Sequence, residues 1–233
     1  MPPRLGFPQP IEKQLPKGRD GVGTMNDEEL LNLARGVIEA DSRAVHAVIG
    51  ALDQEFVRVA RLLSEGTGKV LVTGSGTSGA VASRAAHLLS VCGTPAFFLP
   101  PADGLHGGLG VLQSNDLLLA LSKGGDSDEL NEFCRRAKSL CRGVVAVTAE
   151  PDSTLAAIAD YVICMTLADD SDLGTVVATG SSLAIAAIVD ALSEIGRVTR
   201  NYEWERVLFT HPSGAVGRKS AQTLERLTRA EKP

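Results

Sequence analysis

From residue 69 to residue 196 the chain alternates short apolar runs, rich in β-forming residues, with segments of helical spacing. The apolar runs are residues 69–74, 95–99, 116–121, 144–148 and 161–166. Parallel strands need crossover helices, and strands covered on both faces have continuous apolar runs rather than alternating ones. The pattern therefore predicts an α/β fold: a doubly wound, five-stranded, mainly parallel sheet with helices on both faces.

The residues before this sheet predict a leader and long helices. The first sixteen residues contain five prolines and glycines follow, so we expect residues 1–24 to form a flexible leader, with Met25 as a second candidate start. Asn26 is a candidate N-cap, and apolar spacing over residues 26–65 predicts one or two long amphipathic helices. Their broad apolar faces suggest partial burial by a partner subunit. The expected domain, residues 25–233, comprises these helices, an α/β core at 69–196 and a C-terminal helical or loop segment at 197–233.

Composition excludes several classes of function. The 233 residues carry a formal net charge of -5, without the basic field that nucleic-acid binding requires. No apolar run is long enough to span a bilayer, and the N-terminus lacks a signal peptide's apolar region. The four cysteines are scattered, which is typical of reduced thiols acting as small core residues. We therefore expect a cytoplasmic protein without nucleic-acid or membrane partners.

A Gly-rich loop follows the first predicted strand and opens a helix. Gly74, Gly76 and Gly79 form a G-x-G-x-x-G pattern, which can hold a dinucleotide or a smaller phosphate at a helix N-terminus. A dinucleotide fold needs an acidic residue at the end of the second strand, for the ribose. Two prolines occupy that position, and Asp103 comes after them. The pattern thus favours a smaller phosphorylated ligand.

A second Ser/Gly loop, residues 122–127, follows the third predicted strand. Two such loops on neighbouring strands can surround one phosphate with hydroxyls, N–H groups and helix dipoles, and a lysine can add charge. Ordinary turn and capping roles are the alternative. The candidate phosphate-binding residues are Gly76, Thr77, Ser78, Ser122, Lys123, Gly125 and Ser127.

Three further stretches carry a family resemblance: GTPAFFLPPADGLHGGLG (93–110), TAEPDSTLAAIADYVI (148–163) and FTHPSGAVGRK (209–219). With them, residues 26–219 resemble sugar isomerase (SIS) domains, and most closely the arabinose-5-phosphate isomerase (KpsF/GutQ-type) family. Many members append a pair of CBS modules after this point, and we expect this chain to lack them.

The resemblance implies a cofactor-free and metal-free aldose–ketose isomerase that interconverts D-arabinose 5-phosphate and D-ribulose 5-phosphate through an enediol. His211 stands where the family has its catalytic histidine, and His106 is a second candidate for the sugar site. Ser181 and Ser182 match a family Ser/Thr run, although helix capping explains them equally well. The resemblance also implies a dimer or tetramer, with the site completed by a neighbouring subunit.

The chain departs from the family in both loops and after the fifth strand. Thr77 replaces a loop lysine, and Gly124 replaces a hydroxyl residue. Asp126 and Asp169 stand where the family has glutamates; they keep the charge but shorten its reach, and we expect them to assist proton transfer. These changes leave open an isomerase of another sugar phosphate, such as a hexulose 6-phosphate, or a sugar-phosphate-binding protein without catalysis. A solvated acidic loop is the alternative for Asp169 and its acidic neighbours.

Overall fold

The computed structural model of the protein describes residues 25–213 and Leu224. The predicted leader, residues 1–24, and the motif residues 214–219, including Arg218, lie outside the described residues. The helices are α1 (Asp27–Ala47), α2 (Gln54–Glu65), α3 (Gly76–Val91), α4 (Pro101–Leu105), α5 (Asp128–Lys138), α6 (Thr154–Ile158), α7 (Gly180–Thr199) and α8 (Trp204–Phe209). The strands are β1 (Val70–Thr73), β2 (Ala96–Phe98), β3 (Leu117–Leu121), β4 (Gly143–Thr148) and β5 (Tyr161–Cys164).

The five strands form one parallel sheet in the order β2-β1-β3-β4-β5. This confirms the predicted doubly wound α/β fold. The strand order reverses between β1 and β3, where Thr73 lies opposite Ala120. In open α/β sheets such a switch point leaves a crevice at the carboxyl ends of the strands. The topology therefore directs attention to the loops that follow β1 and β3.

Two hydrophobic clusters cover the two faces of the sheet, because consecutive strand residues point to opposite sides. One cluster packs α2, α3 and α7 against one face, for example through Leu119 and Ile188. The other packs α5 and α6 against the opposite face, for example through Leu118 and Phe133. All five residues of β3 are buried, as expected for a central strand covered on both faces.

The predicted N-terminal helices are present as two, with a break between them. Asn26 caps α1 through a capping box: its Oδ1 accepts from Glu29 N at 3.0 Å, and its own N–H donates to Glu29 Oε2 at 2.8 Å. A 3-10 turn, Val48–Ala51, separates α1 from α2, whose N-cap is Asp53. Apolar side chains of α1 stay exposed in the single chain, Ile38 to 67%. The described residues of this chain therefore do not bury the apolar face of α1.

Asp116 joins the beginnings of β1 and β3 at the amino edge of the sheet. Its side chain is 2% exposed and pairs with Lys69 Nζ at 2.5 Å. It also accepts hydrogen bonds from the backbone N–H of Lys69 at 3.0 Å and of Gln113 at 2.8 Å. Burial alone would raise the pKa of this carboxyl, but these hydrogen bonds outweigh it and hold the pKa below its ordinary value.

The four cysteines all fall among the described residues and are free thiols. Cys134 is buried in the α5 cluster, and burial raises the pKa of its thiol to about 12, so it stays protonated and behaves as a small core residue. No helix in the described part of the chain combines the length and apolarity needed to cross a membrane.

Candidate functional site

The two Ser/Gly loops lie side by side at the switch point. A β-carbon built on Gly74, just after β1, would come within 2.8 Å of Ser78 O and 2.9 Å of Leu121 O, the last carbonyl of β3. Only glycine allows the backbone to approach this closely. The sequence therefore folds so that the N-terminal ends of α3 and α5 open onto the same crevice.

The first loop presents the N-terminus of α3. Gly76 has φ +56°, and a β-carbon there would meet no atom within 4 Å, so the backbone turns in open space. Thr77 is exposed and Ser78 is half-buried, both in the first turn. The first N–H groups of a helix have no partner within it, and the helix dipole favours an anion there. Ser75, the N-cap, makes no side-chain capping bond, and its Oγ has no hydrogen-bond partner among the described residues.

The second loop is tightly held by residues on α5 and α6. Gly125 has φ +67°, and its N–H donates to Ser122 Oγ at 3.1 Å. Its carbonyl accepts from Asn131 Nδ2 at 3.0 Å and from Leu155 N at 2.9 Å. Ser127 is the N-cap of α5 but makes no side-chain capping bond. This loop is thus held in one conformation by residues of α5 and α6.

Asp126 points its carboxylate at the N-terminus of α6. Its Oδ1 accepts from Thr154 N at 3.0 Å, and the side chain is otherwise exposed. That hydrogen bond holds the pKa of Asp126 below its ordinary value. Asp126 is therefore ionised near neutral pH and engaged with the backbone of α6.

Lys123 also points away from the crevice between β1 and β3. Its Nζ donates to Asp172 Oδ2 at 2.7 Å, and Asp172 Oδ1 accepts from Thr179 N and Ser181 N, each at 2.9 Å. Burial alone would raise the pKa of Asp172, but the hydrogen bonds from Lys123, Ser181 and Thr179 outweigh it and lower that pKa. The carboxylate thus stays charged although its side chain is 2% exposed.

Ser181 and Ser182 lie in the first turn of α7, beside this carboxylate. Ser181 is buried, and Ser182 Oγ donates to Ala178 O at 3.2 Å. Both candidates therefore lie at the same edge of the sheet as the two loops, with Ser182 already bonded within the helix.

Asp169 borders a cavity of about 490 Å³ at the carboxyl ends of β3, β4 and β5. The aspartate itself is exposed and lies in a 3-10 turn, Asp169–Ser171. The cavity is lined by Lys123, Ala149, Glu150, Pro151, Cys164, Met165, Thr166, Leu167, Ala168, Asp169 and Thr175. Asp169 and Lys123 therefore share one concave surface.

The two candidate histidines follow different helices, α4 and α8. His106 is exposed and ends α4, beyond the carboxyl end of β2. His211 follows α8, beyond the far end of α7. Its Nδ1 lies 2.7 Å from Val207 O, which can only accept, so Nδ1 carries the proton and Nε2 is the basic nitrogen.

Helix α7 leads the chain from one edge of the sheet to the other before α8 and His211. Its N-terminus is bonded to Asp172 at the carboxyl edge of the sheet. At the other end, Arg200 donates to Leu63 O at 2.6 Å and to Gly66 O at 2.8 Å, just before β1 begins. The 20 residues of α7 span about 30 Å. The end of α7 thus lies at the opposite edge of the sheet from Ser78 and Ser122, and His211 follows it after α8.

The structure also identifies residues that the sequence analysis did not assign: Ser75, Asn131 and the buried carboxylate of Asp172. In the sequence, Asp172 looks like one of several acids in a solvated loop. Its partners Thr179, Ser181 and Lys123 lie 7, 9 and 49 residues away in the chain, so the sequence gives no sign of them. Within the described residues, no group of three or more His, Cys, Asp or Glu side chains is arranged to hold a metal ion.

A family model described as SIS domain matches residues 63–194. Arabinose 5-phosphate isomerase KdsD of Pseudomonas aeruginosa is 30% identical over 191 residues, which are 82% of this chain and 59% of that protein. Arabinose 5-phosphate isomerase GutQ of Escherichia coli K12 is 30% identical over 204 residues, 88% of this chain and 64% of that protein. The chain thus spans about three fifths of the length of these curated relatives.

Solved structures agree with the fold. A candidate sugar-phosphate isomerase from Listeria monocytogenes superposes with a TM-score of 0.77 at 31% identity, covering 82% of this chain and all of that one. An Escherichia coli CFT073 protein in complex with arabinose 5-phosphate also gives a TM-score of 0.77, at 24% identity and with 81% of this chain covered. The family model covers more than half of the chain, and the fold is shared with the Listeria monocytogenes structure. The chain belongs to the SIS domain family.

Proposed function

We propose that this protein is an aldose–ketose isomerase of a phosphorylated sugar, with D-arabinose 5-phosphate and D-ribulose 5-phosphate as its substrate pair. The observation that carries the proposal is the pairing of two Ser/Gly loops across the β1/β3 switch point, each at a helix N-terminus. The names of the curated relatives, arabinose 5-phosphate isomerases, support this substrate.

In this proposal the phosphate binds in the crevice. Ser78, Ser122 and Ser127 contribute hydroxyls, the first turns of α3 and α5 contribute N–H groups, and Thr77 contributes a further hydroxyl. The backbone around Gly76 and Gly125 brings these donors within reach of one anion. Neutral donors at two helix N-termini suffice to bind a phosphate dianion.

Isomerisation then needs one base and a group that handles the oxygen protons. The base removes the proton from carbon 2 of the aldose, the C2–H electron pair forms the C1=C2 bond, and O1 accepts a proton, giving the enediol. O2 then loses its proton and carbon 1 gains one, which leaves the ketose. His211 Nε2 is the proposed base, and Asp169 or Asp126 assists, with His106 lining the sugar site.

Because α7 ends at the opposite edge of the sheet from the loops, and His211 follows that end, the proposed site takes this histidine from a neighbouring subunit. The exposed face of α1 supports such an assembly, a dimer or tetramer. It forms an apolar groove with α7, lined by Ile38, Val45, Ile49 and Leu183. Burying such a groove would favour association through the hydrophobic effect.

The first experiment is proton exchange. The protein is incubated in D₂O with arabinose 5-phosphate, ribulose 5-phosphate and a panel of hexose phosphates, beside a His211→Ala control, and NMR follows deuterium at carbons 1 and 2. Exchange by the wild type alone supports the isomerase and identifies its substrate. Absence of exchange with every sugar contradicts it.

A mixing experiment tests the shared site. His211→Ala, and a variant in which Ser78, Ser122 and Ser127 are all replaced by alanine, are each expected to be inactive; a single hydroxyl contributes too little for this test. If the site is shared between subunits, a mixture reassembled from equal amounts regains activity, up to about a quarter of the wild-type level for random dimers. A mixture that stays inactive, although both variants assemble, contradicts a shared site.

A second candidate is a sugar-phosphate-binding protein without catalysis. Thr77 favours it, because the exposed first turn of α3 has no cation where the family resemblance implies a lysine. Stabilisation by sugar phosphates without any deuterium exchange would support this second function.

A further inference from the structure

Asp172 differs from the acids beside it. Its side chain is 2% exposed, whereas Asp169 and Asp170 lie on the surface. It accepts one hydrogen bond from Lys123 Nζ at 2.7 Å and two from backbone N–H groups of Thr179 and Ser181 at 2.9 Å. Because a buried carboxylate is costly unless its oxygens are paired, these contacts fix it in one position.

These contacts join two segments of the proposed site. Lys123 belongs to the loop after β3, and Ser181 belongs to the first turn of α7. The carbonyl of Lys123 is itself held by Ala149 N and by Thr148 Oγ1, both at 2.9 Å, so the backbone of the lysine is fixed as well. One carboxylate therefore determines where the lysine ammonium lies relative to α7.

The ammonium keeps donors for a ligand. A lysine ammonium has three N–H groups, and among the described residues Asp172 is the only hydrogen-bond partner of Lys123 Nζ. The side chain is 39% exposed and is the only cationic side chain among the described residues that line the 490 Å³ cavity. Two N–H groups are thus left for a molecule in this cavity.

The cavity suits the hydroxyl end of a sugar better than a phosphate. Lys123 is already neutralised by Asp172, and the lining adds two further carboxylates, Glu150 and Asp169. These repel a phosphate but accept hydrogen bonds from hydroxyl groups.

The backbone at Thr175 is a second indication of a built site. This residue lines the cavity with φ +62°, a strained conformation for a β-branched residue. Its N–H donates to Asp172 O at 3.0 Å, so the same aspartate also anchors the strained turn. Such strain is concentrated at ligand-binding sites.

We infer that Asp172 is a positioning residue, which holds Lys123 in the wall of this cavity so that its ammonium binds oxygens at the sugar end of the substrate. The inference rests on the proposed function and gives Lys123 a different role from the phosphate contact expected from the sequence. The phosphate stays with the loops at the switch point, and Lys123 contacts the part of the ligand where the proton moves.

The test is a double-mutant cycle with a matched control. Asp172→Ser keeps an oxygen that can cap α7 but removes the charge. Lys123→Met removes the ammonium, and the third member of the cycle carries both substitutions. Asp170→Ser is the control, because Asp170 is an exposed acid whose only partner among the described residues is Arg43 on the surface, at 2.7 Å. Calorimetry measures the binding of arabinose 5-phosphate and of inorganic phosphate, and exchange kinetics give kcat and KM.

Each single variant is expected to bind arabinose 5-phosphate about 10-fold more weakly, the loss typical of one charge-assisted hydrogen bond. Binding of inorganic phosphate should stay within about 3-fold of wild type, since its donors are untouched. The double variant should bind arabinose 5-phosphate no more weakly than Lys123→Met does, because Asp172 acts through the lysine. Asp170→Ser should behave as wild type.

Two results would overturn the inference: losses that multiply in the double variant, or equal weakening of arabinose 5-phosphate and inorganic phosphate. If Asp172→Ser does not fold, Asp172→Asn replaces it in the same cycle. A wild type that binds arabinose 5-phosphate without exchange contradicts the isomerase, while the binding cycle still tests Asp172. A wild type that binds neither ligand contradicts both.

Discussion

Gly125 lies directly against Ser153: a β-carbon on Gly125 would overlap Ser153 Oγ and stand 2.5 Å from Ser153 Cβ. Ser153 cannot easily move, because it is buried and caps α6 through a 3.3 Å hydrogen bond from Ala156 N. Gly124 is different, since a β-carbon there would meet no atom within 4 Å. Two adjacent glycines of one loop thus have opposite tolerance for a side chain.

Gly125→Ala is therefore expected to distort the loop after β3. The left-handed backbone alone costs an alanine about 1–2 kcal/mol, and the contact with Ser153 adds to it. We expect a lower free energy of unfolding in urea and weaker binding of sugar phosphate. Gly124→Ala is the matched control and should leave both quantities within experimental error; equal behaviour of the two variants would contradict the loop geometry.

Gly124→Ser should strengthen phosphate binding. The position is open, and the substitution supplies the hydroxyl that the family resemblance implies there. One additional hydrogen bond contributes about 0.5–1.5 kcal/mol, which is about 2- to 10-fold in affinity. Calorimetry with inorganic phosphate measures this, with Gly124→Ala as the control for the added carbon. Unchanged affinity would mean that residue 124 does not face the anion.

Thr77→Lys should strengthen the binding of sugar phosphates and make it more sensitive to salt. Thr77 is exposed in the first turn of α3, so a lysine fits without repacking. Its charge opposes the helix dipole, so a small loss of stability, about 0.3–1 kcal/mol, is expected as well. Thr77→Gln controls for side-chain length. Titrations at low and high ionic strength test the effect, and equal affinities for the two variants would contradict it.

Asp116→Asn should destabilise the fold at neutral pH. Breaking a buried ion pair costs about 3 kcal/mol, since Lys69 and two backbone N–H groups lose a charged acceptor. Asp170→Asn is the surface control, with an expected effect under about 1 kcal/mol. Urea unfolding at pH 7 measures the loss of unfolding free energy in each of the two variants.

The effect of Asp116 should also depend on pH. Its pKa is lower in the folded than in the unfolded chain, so its stabilisation is fully present above the unfolded pKa of about 3.9 and is lost as pH falls through the folded pKa. The difference in unfolding free energy between wild type and Asp116→Asn should therefore shrink in acid. A difference that stays constant from pH 7 to pH 2 would contradict a charged Asp116.

The sheet and its loops were predictable because they depend on local patterns. The continuous apolar run of β3 and the capping residues at Asn26 can be recognised without knowledge of tertiary contacts. The position of the break between α1 and α2 was left open, since apolar spacing continues through Val48. Periodicity reports which face is apolar and is insensitive to a short 3-10 turn.

The contacts of the charged groups were not predictable. Asp126 bonds to Thr154, 28 residues later, and Lys123 bonds to Asp172, 49 residues later. Such pairs depend on how neighbouring strands bring separate loops together, so the sequence alone presented both aspartates as members of polar loops.

The open surroundings of Gly124 and Thr77 have a consequence for how such a domain can diversify. Neither position belongs to the two hydrophobic clusters, so substitutions there should cost little in folding stability. Gly125 and Asp172 lie at the same carboxyl edge of the sheet but do not tolerate substitution in this way, because Gly125 packs against Ser153 and Asp172 is buried. If the loops bind the ligand as proposed, a change of ligand preference is expected to need substitutions at a few permissive loop positions, each beside a neighbour whose side chain cannot change without cost.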